Sequence, residues 1–234
     1  MLAEYQVTPD MIDLSTWNLS IPVGSPAKTI ETPALVKGYK DKYFRKDGSK
    51  LYFWAPVTGS TTESAKYPRS ELRETYADGS LRNWKYTEAD NYLRAKLSVA
   101  EVPSSGRVVI GQIHQYNSND PLLKVEYQWM DNERLGQIVA KLRKTPSQDE
   151  PTIITVAEKV PLQKAFSYVI TLTKSGKLSV AAADYGWNTT LSSKWKEKQL
   201  YFKAGVYTQD NTGYSKEGGR VVFQNLSVSH KHKS

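Results

Sequence analysis

Three short segments of this chain hold residue types that, taken with a two-residue period, could bind an anion and move a proton. Alternation along Tyr201-Phe202-Lys203-Ala204-Gly205-Val206-Tyr207-Thr208-Gln209 sends Phe202, Ala204 and Val206 to one face, fit for a core. The other face receives Tyr201, Lys203, Gly205, Tyr207 and Gln209, a polar and aromatic row with a glycine gap at its centre. A strand whose second face only meets water has no need of such a row, which resembles the floor of a binding groove. In Arg69-Ser70-Glu71-Leu72-Arg73, alternation places Arg69, Glu71 and Arg73 together, and in Gly111-Gln112-Ile113-His114-Gln115 it pairs Gln112 with His114. Assembled side by side, these groups suit an anionic substrate.

Each segment also has a plainer reading. The first pentapeptide alone reads best as a cross-strand salt-bridge ladder. A single strand histidine is more often a hydrogen-bonded structural residue, but His230 and His232 sit in a basic tail, which leaves His114 as the one histidine in the body of the chain. Most of the 15 tyrosines must be packing residues, and only its face-sharing with Lys203 and Gln209 separates Tyr207 from the rest.

The elements that would position these groups are strands. Apolar or alternating runs recur at Leu51–Ala55, Tyr92–Ala100, Val108–Gln115, Leu123–Met130, Gln137–Leu142, Thr152–Val156, Phe166–Leu172, Leu178–Ala183, Tyr201–Gln209 and Val221–Ser229. Gly, Pro, Asn, Asp and Ser separate them, and such regular punctuation predicts an all-β sandwich or barrel. Phe166–Leu172 and Leu178–Ala183 read as a hairpin about a Ser-Gly turn. Short helical turns are expected at Pro33–Lys40 and Ser192–Lys198. Two polar loops, Thr58–Tyr67 and Tyr116–Pro121, border the candidate residues and could be lids or ordinary turns.

The length of 234 residues fits a single domain over 1–234, since all-β units often run to ~200–250 residues. A net charge of +8 favours polyanionic partners without choosing among nucleic acid, acidic polysaccharide and anionic membrane. The chain has no cysteine, which excludes disulfides and thiol chemistry. No stretch approaches the ~18 apolar residues of a membrane span, so no membrane partner is expected. Met1–Tyr5 lacks a basic region followed by an apolar run, so no signal peptide is visible.

The three segments RSELR, QIH and YFKAGVYTQ, in this order between residues 69 and 209, are similar to the signature segments of the family 7 polysaccharide lyases. These are alginate lyases with a β-jelly-roll fold, and the likeness extends over most of the chain. Thr208 departs from the family, which commonly has Asn there. The resemblance implies a jelly roll of two antiparallel sheets with a concave substrate groove, acting on alginate by β-elimination without cofactor or metal. Arg69, Gln112 and His114 would neutralise the uronate carboxylate, whose charge otherwise opposes removal of the C5 proton. Tyr207 would be proton donor and, on mannuronate, also the base, its phenolate favoured by Arg73 and Lys203; on guluronate His114 would be the base. Glu71 would orient the arginines, and Arg73, Tyr201, Lys203 and Gln209 would contact substrate.

QIH is associated with guluronate-containing substrates, so polyguluronate or mixed blocks are expected, cleaved endolytically in an open groove by a monomer. A polymer-degrading role favours a secreted or periplasmic location. Two rivals keep parts of the pattern. A non-catalytic module for acidic polysaccharide would retain the basic groove without needing Tyr207 or His114. A nucleic-acid binder would want a Lys/Arg stripe interleaved with exposed aromatics, which no strand provides, so no nucleic acid is expected. Another uronate polymer, such as glucuronan, stays open.

Overall fold

Strands that alternate apolar and polar residues can bury only one face, and two sheets of such strands bury it against each other. A computed structural model, which describes residues 12–232, has this arrangement. In chain order the strands are β1 (Trp17–Ser20), β2 (Thr29–Ile30), β3 (Phe44–Asp47), β4 (Lys50–Pro56), β5 (Arg69–Glu74), β6 (Asp90–Glu101), β7 (Arg107–Gln115) and β8 (Leu123–Met130). They continue with β9 (Leu135–Leu142), β10 (Thr152–Val160), β11 (Phe166–Leu172), β12 (Lys177–Ala182), β13 (Tyr185–Thr190), β14 (Leu200–Thr208) and β15 (Gly218–Lys231). One sheet has the order β10-β9-β8-β7-β14-β5-β1-β2 and the other β13-β12-β11-β6-β15-β4-β3, with antiparallel pairing throughout. The result is the all-β jelly-roll sandwich.

The core lies between the sheets. Phe202, Ala204 and Val206 of β14 meet it with no exposed surface, opposite Leu51 and Phe53 of β4 and Phe223 of β15. Phe53 packs edge-on against both Phe44 and Phe223, each with ring centres 5.3 Å apart. A second tie runs beneath β7, where the Tyr168 hydroxyl of β11 crosses the core and donates to the Ile110 carbonyl at 2.9 Å. Its ring fills the space over Gly111, where a Cβ would stand 2.6 Å from the hydroxyl oxygen.

All ten expected strands are present, and the Phe166–Leu172 hairpin pairs as anticipated, with β12 beginning at Lys177. The helical turns are shorter than expected. A helix, α1, spans Thr32–Val36 and gives way to Gly38 at φ 97°, and a 3₁₀ turn covers Ser193–Trp195. Four strands carry no clear periodic signal: β1, β2, β3 and β13. β13 is an edge strand exposed along most of its length, so nothing selects apolar residues at alternate positions.

The basic tail that holds His230 is part of the sandwich as far as Lys231. The His230 side chain is buried, its ring 5.2 Å from that of Trp84 and 5.9 Å from that of Phe202. The Asn91 amide nitrogen donates to the Ala89 and Leu172 carbonyls, both at 3.0 Å, which turns its oxygen toward His230 Nδ1 at 2.7 Å. On the other side, Nε2 lies 2.5 Å from Glu74 Oε2. Both ring nitrogens therefore face acceptors. Glu74, itself without exposed surface, also accepts from Trp84 Nε1 at 2.7 Å and from the Phe202 amide at 3.1 Å. The body of the fold thus holds two histidines, one on each sheet. Met1–Tyr5, where no signal peptide was visible, and Lys233 lie outside the described residues.

Replacing His230 with Ala would leave the buried Glu74 Oε2 with only the Arg82 guanidinium, 4.0 Å away. A loss of about 3 kcal/mol is expected, read as a fall in Tm of roughly 10 °C by circular dichroism. An unchanged Tm would show that the network adds nothing to stability.

Candidate active site

Three neighbouring strands carry the three sequence segments onto one outer face. β14 lies between β5 and β7, pairing Tyr207 with Arg69, Gly205 with Glu71 and Lys203 with Arg73 on one side. On the other side it pairs Tyr201 with His114 and Lys203 with Gln112. Simple alternation along β7 would not keep both Ile110 and Ile113 in the core, but a bulge between Val109 and Gly111 re-phases the strand. Gln112 and His114 thereby reach the groove face. Gly205 has φ 148°, and a Cβ there would stand 2.6 Å from the Ser70 carbonyl oxygen and 2.8 Å from Glu71 Cα. Only glycine lets β14 lie this close to β5 beside Glu71.

Glu71 is the hub. It has no exposed surface, and its Oε1 accepts from Lys203 Nζ at 2.7 Å and Arg69 Nη1 at 2.9 Å. Its Oε2 accepts from Gln112 Nε2 at 2.8 Å. Burial opposes ionisation, yet the charges of Lys203 and Arg69 with the bonds from Lys203 and Gln112 outweigh it and hold the carboxyl below its ordinary pKa. Lys203 is pushed down to about 8 by burial and then by Arg69, against the pull of Glu71. One carboxylate here holds two cations, so the site keeps a surplus of positive charge. Arg69 Nε is buried with no partner.

His114 and Tyr207 flank this cluster. His114 Nδ1 lies 3.0 Å from the Gln115 carbonyl, which can only accept. The ring proton therefore sits on Nδ1, and the lone pair on Nε2 is left free. Burial, and then the Lys203 charge, pushes the imidazole down to about 3, so it is neutral near pH 7. Tyr201 stacks on His114 with ring centres 5.3 Å apart, its hydroxyl 3.2 Å from Nδ1. The Arg69 guanidinium carbon lies 3.8 Å from the Tyr207 ring centre, and Tyr67 meets that ring edge-on at 6.5 Å. Burial raises the Tyr207 phenol above its ordinary pKa, and Arg69 offsets this only in part.

Three expectations change. The cations thought to favour a Tyr207 phenolate were Arg73 and Lys203, but Arg69 is the one on its ring, and burial keeps the phenol protonated. Arg73 is held off the groove: its guanidinium lies 3.6 Å from the Tyr201 ring centre and donates to the Glu74 and Arg82 carbonyls and Asn83 Oδ1. It supports Tyr201 from beneath. Glu71 accordingly orients Arg69, Lys203 and Gln112 rather than both arginines.

The remaining residues enclose a groove of about 370 Å³ whose lining includes Arg69, Gln112, His114, Tyr201, Lys203 and Tyr207. Gln209 lines it as well and donates to the Tyr207 carbonyl at 3.3 Å. The two polar loops face each other across the opening, where Ser64 Oγ donates to Asn119 Oδ1 at 2.9 Å. Lys66, Tyr67 and Lys124 also line the groove and were not among the sequence candidates. Lys124 was within reach of sequence reasoning, since Leu123, Val125 and Tyr127 alternate with it toward the core. No group of three or more His, Asp or Glu among the described residues is placed to hold a metal ion. Chemically, the site offers donors converging on an anion, a neutral imidazole that can take a proton and a phenol that can give one.

Comparison with known proteins agrees with this chemistry. A family model described as alginate lyase matches residues 12–230. An alginate lyase of Klebsiella pneumoniae is 29% identical, the alignment covering 94% of this chain and 90% of that protein. The crystal structure of an alginate lyase from Pseudomonas aeruginosa superposes with a TM-score of 0.91 at 44% identity, covering 94% of this chain and 100% of the other. Alginate lyase A1-II′, a member of polysaccharide lyase family 7, superposes with a TM-score of 0.82 at 30% identity, covering 95% and 97%. A variant of A1-II′ has also been crystallised in complex with substrate.

The hub can be tested without any ligand. Glu71→Gln removes the charge that holds the Lys203 proton on, so the Lys203 pKa is expected to fall below about 8, measured by NMR titration of the lysine side chains. Leaving two buried cations uncompensated should also cost about 3 kcal/mol in denaturant unfolding. A Lys203 pKa that stays in place would remove Glu71 from the centre of the site.

Proposed function

Since the chain belongs to polysaccharide lyase family 7, the alginate lyases, we propose that it cleaves alginate endolytically by β-elimination, with guluronate-containing blocks preferred. Arg69 and Gln112 bind the carboxylate of the reacting uronate, Arg69 with a planar fork that matches its oxygens. Lys203 adds charge beside them. This reduces the cost of placing more negative charge next to the carboxylate as the C5 proton leaves. His114 Nε2 takes that proton, the C4–O4 bond breaks as the C4–C5 double bond forms, and Tyr207 gives its proton to the departing glycosidic oxygen. Tyr201 and Gln209 border the bound sugar, and Arg73 and Glu71 hold the groups that touch it.

Support for the guluronate preference comes from the QIH segment and from the burial of His114 and Tyr207, which favours the neutral form of each. A neutral imidazole and a protonated phenol are the base and acid that elimination from guluronate requires. A phenolate base, needed for mannuronate, is opposed by the burial of Tyr207. A bound carboxylate also offsets the Lys203 and Arg69 charges that depress His114, raising its basicity when substrate is in place. In this reading the chain acts as one catalytic domain, β5, β7 and β14 supplying the groups named above, and as a monomer. A polymeric substrate places it outside the cytoplasm, secreted or periplasmic. No helix among the described residues is long and apolar enough to cross a membrane.

Ultraviolet absorbance on mixing with polyguluronate, polymannuronate and mixed alginate, without added metal, tests the reaction, because elimination creates a conjugated unsaturated uronate that neither hydrolysis nor binding can produce. A signal rising fastest on polyguluronate or mixed blocks is expected. Tyr207→Phe should lower kcat by about 10³-fold while binding persists. A flat trace with binding retained would favour a non-catalytic polysaccharide module.

The pH profile gives a further test. Lys203 loses its charge above about pH 8, so kcat/KM is expected to fall as pH rises through that value. The corresponding limb in kcat should lie higher, because a bound carboxylate holds the lysine proton on. Lys203→Arg should shift the alkaline limb of kcat/KM upward, since guanidinium does not titrate there. An unmoved limb would assign it to another group.

A further inference from the structure

The polar row of the groove does not stop at Gln112. Cross-strand pairing sets Lys203 of β14 beside Gln112 of β7, Gln112 beside Lys124 of β8, and Lys124 beside Lys141 of β9. Neighbouring strands lie about 4.8 Å apart, close to the length of one pyranose ring. A polymer lying across the strands therefore advances about one sugar per strand. Arg69 reaches over β14 to the Tyr207 ring, so a sugar shared by Arg69 and Gln112 lies over β14 and β7, and the next in that direction reaches β8.

Lys124 stands out among the cations of this face. Arg69 and Lys203 bond to Glu71, and Lys141 bonds to Glu126 at 3.1 Å. Glu126 is buried and also accepts from Gln128 at 2.6 Å. Arg143 is held by the carbonyls of Pro121, Gln148 and Asp149. Lys124 is half-buried and lines the groove, yet among the described residues it has neither an ion-pair nor a hydrogen-bond partner within reach. Burial, and after it the Lys141 charge, pushes its pKa below the ordinary value. The nearby Glu126 carboxylate opposes this without outweighing it and is already bonded to Lys141 and Gln128. A partly buried ammonium with no bonded partner is costly unless a ligand supplies one.

We propose that Lys124 is the cation of an adjoining subsite, binding the carboxylate of the uronate next to the reacting sugar on the β8 side. Lys141, held by Glu126, stands one strand further out and makes this end of the groove anionic-sugar selective. The assignment rests on the alginate lyase reading and adds a positional demand to it. An acidic sugar is required over β8, and a substrate too short to reach that strand gains nothing from Lys124.

Steady-state elimination on alginate oligosaccharides of increasing length, with Lys124→Gln and Lys124→Arg beside the wild type, tests the subsite. Losing a charge-assisted bond should raise KM about tenfold or more on long substrates, with kcat changed less than about twofold. The effect should vanish on oligosaccharides too short to cover β8, and Lys124→Arg should restore most of the binding. A KM unmoved at every length overturns the proposal, and so does a loss carried by kcat at every length. If the wild type forms no unsaturated product, the lyase reading fails by itself. The same variants titrated calorimetrically with the uncleaved oligosaccharides then decide the subsite: a weakened Kd supports it and an unchanged Kd overturns it.

Discussion

Sealed from solvent beneath the groove, the Glu71 carboxylate accepts from Lys203, Arg69 and Gln112 at once. Without it, two cations would have to be buried side by side, which their repulsion and desolvation forbid. With it they are held together, but their charge is only partly balanced. The residual positive charge points into the groove and has no other partner there. Recognition of an acid sugar follows directly, because the substrate carboxylate completes the ion cluster. Burial, and after it the same surplus, keeps His114 neutral and Lys203 easy to deprotonate.

Such a cluster must be rigid to act on a reaction centre, and its rigidity comes from the second sheet. Tyr168 reaches from β11 to fix β7 at Ile110, one turn of the pleat from Gln112. Glu74, at the end of the strand bearing Arg69 and Glu71, is bonded to His230 of β15 and to the amide of Phe202, between Tyr201 and Lys203. The groove strands are therefore tied through the core to β11 and β15. Gly205 contributes by omission, since a side chain there would force apart the two strands that carry the hub.

Much of this was legible in the sequence because period-two alternation is a strong local signal. It put Arg69 and Glu71 on one face, Gln112 with His114, and Lys203 with Tyr207, and all six reach the same site. Arg73 obeyed the same period but not the same fate. Its partners, Arg82 and Asn83, come from a following loop that no pattern connects to it. His230 was read as tail because the basic residues around it suggest solvent, whereas its partners Asn91 and Glu74 lie far back in the chain. Lys124 carried an alternation signal without a motif, and only cross-strand register places it next to Gln112. The Tyr207 protonation state depends on burial, which composition cannot give.

Strand order has a bearing on how the molecule comes into being. β14 sits between β7 and β5, and β15 between β6 and β4, so each sheet is completed at its middle by a strand made after its neighbours. On the ribosome, the earlier strands emerge as four half-sheets whose inner edges have nothing to pair with. Unpaired edges of this kind invite association with other chains, and pairings so distant in sequence form slowly. The nascent chain therefore carries its greatest aggregation hazard just before it gains a groove. The segment that supplies Tyr201, Lys203 and Tyr207 is also the one that closes the gap, so an incompletely zipped molecule is an inactive one.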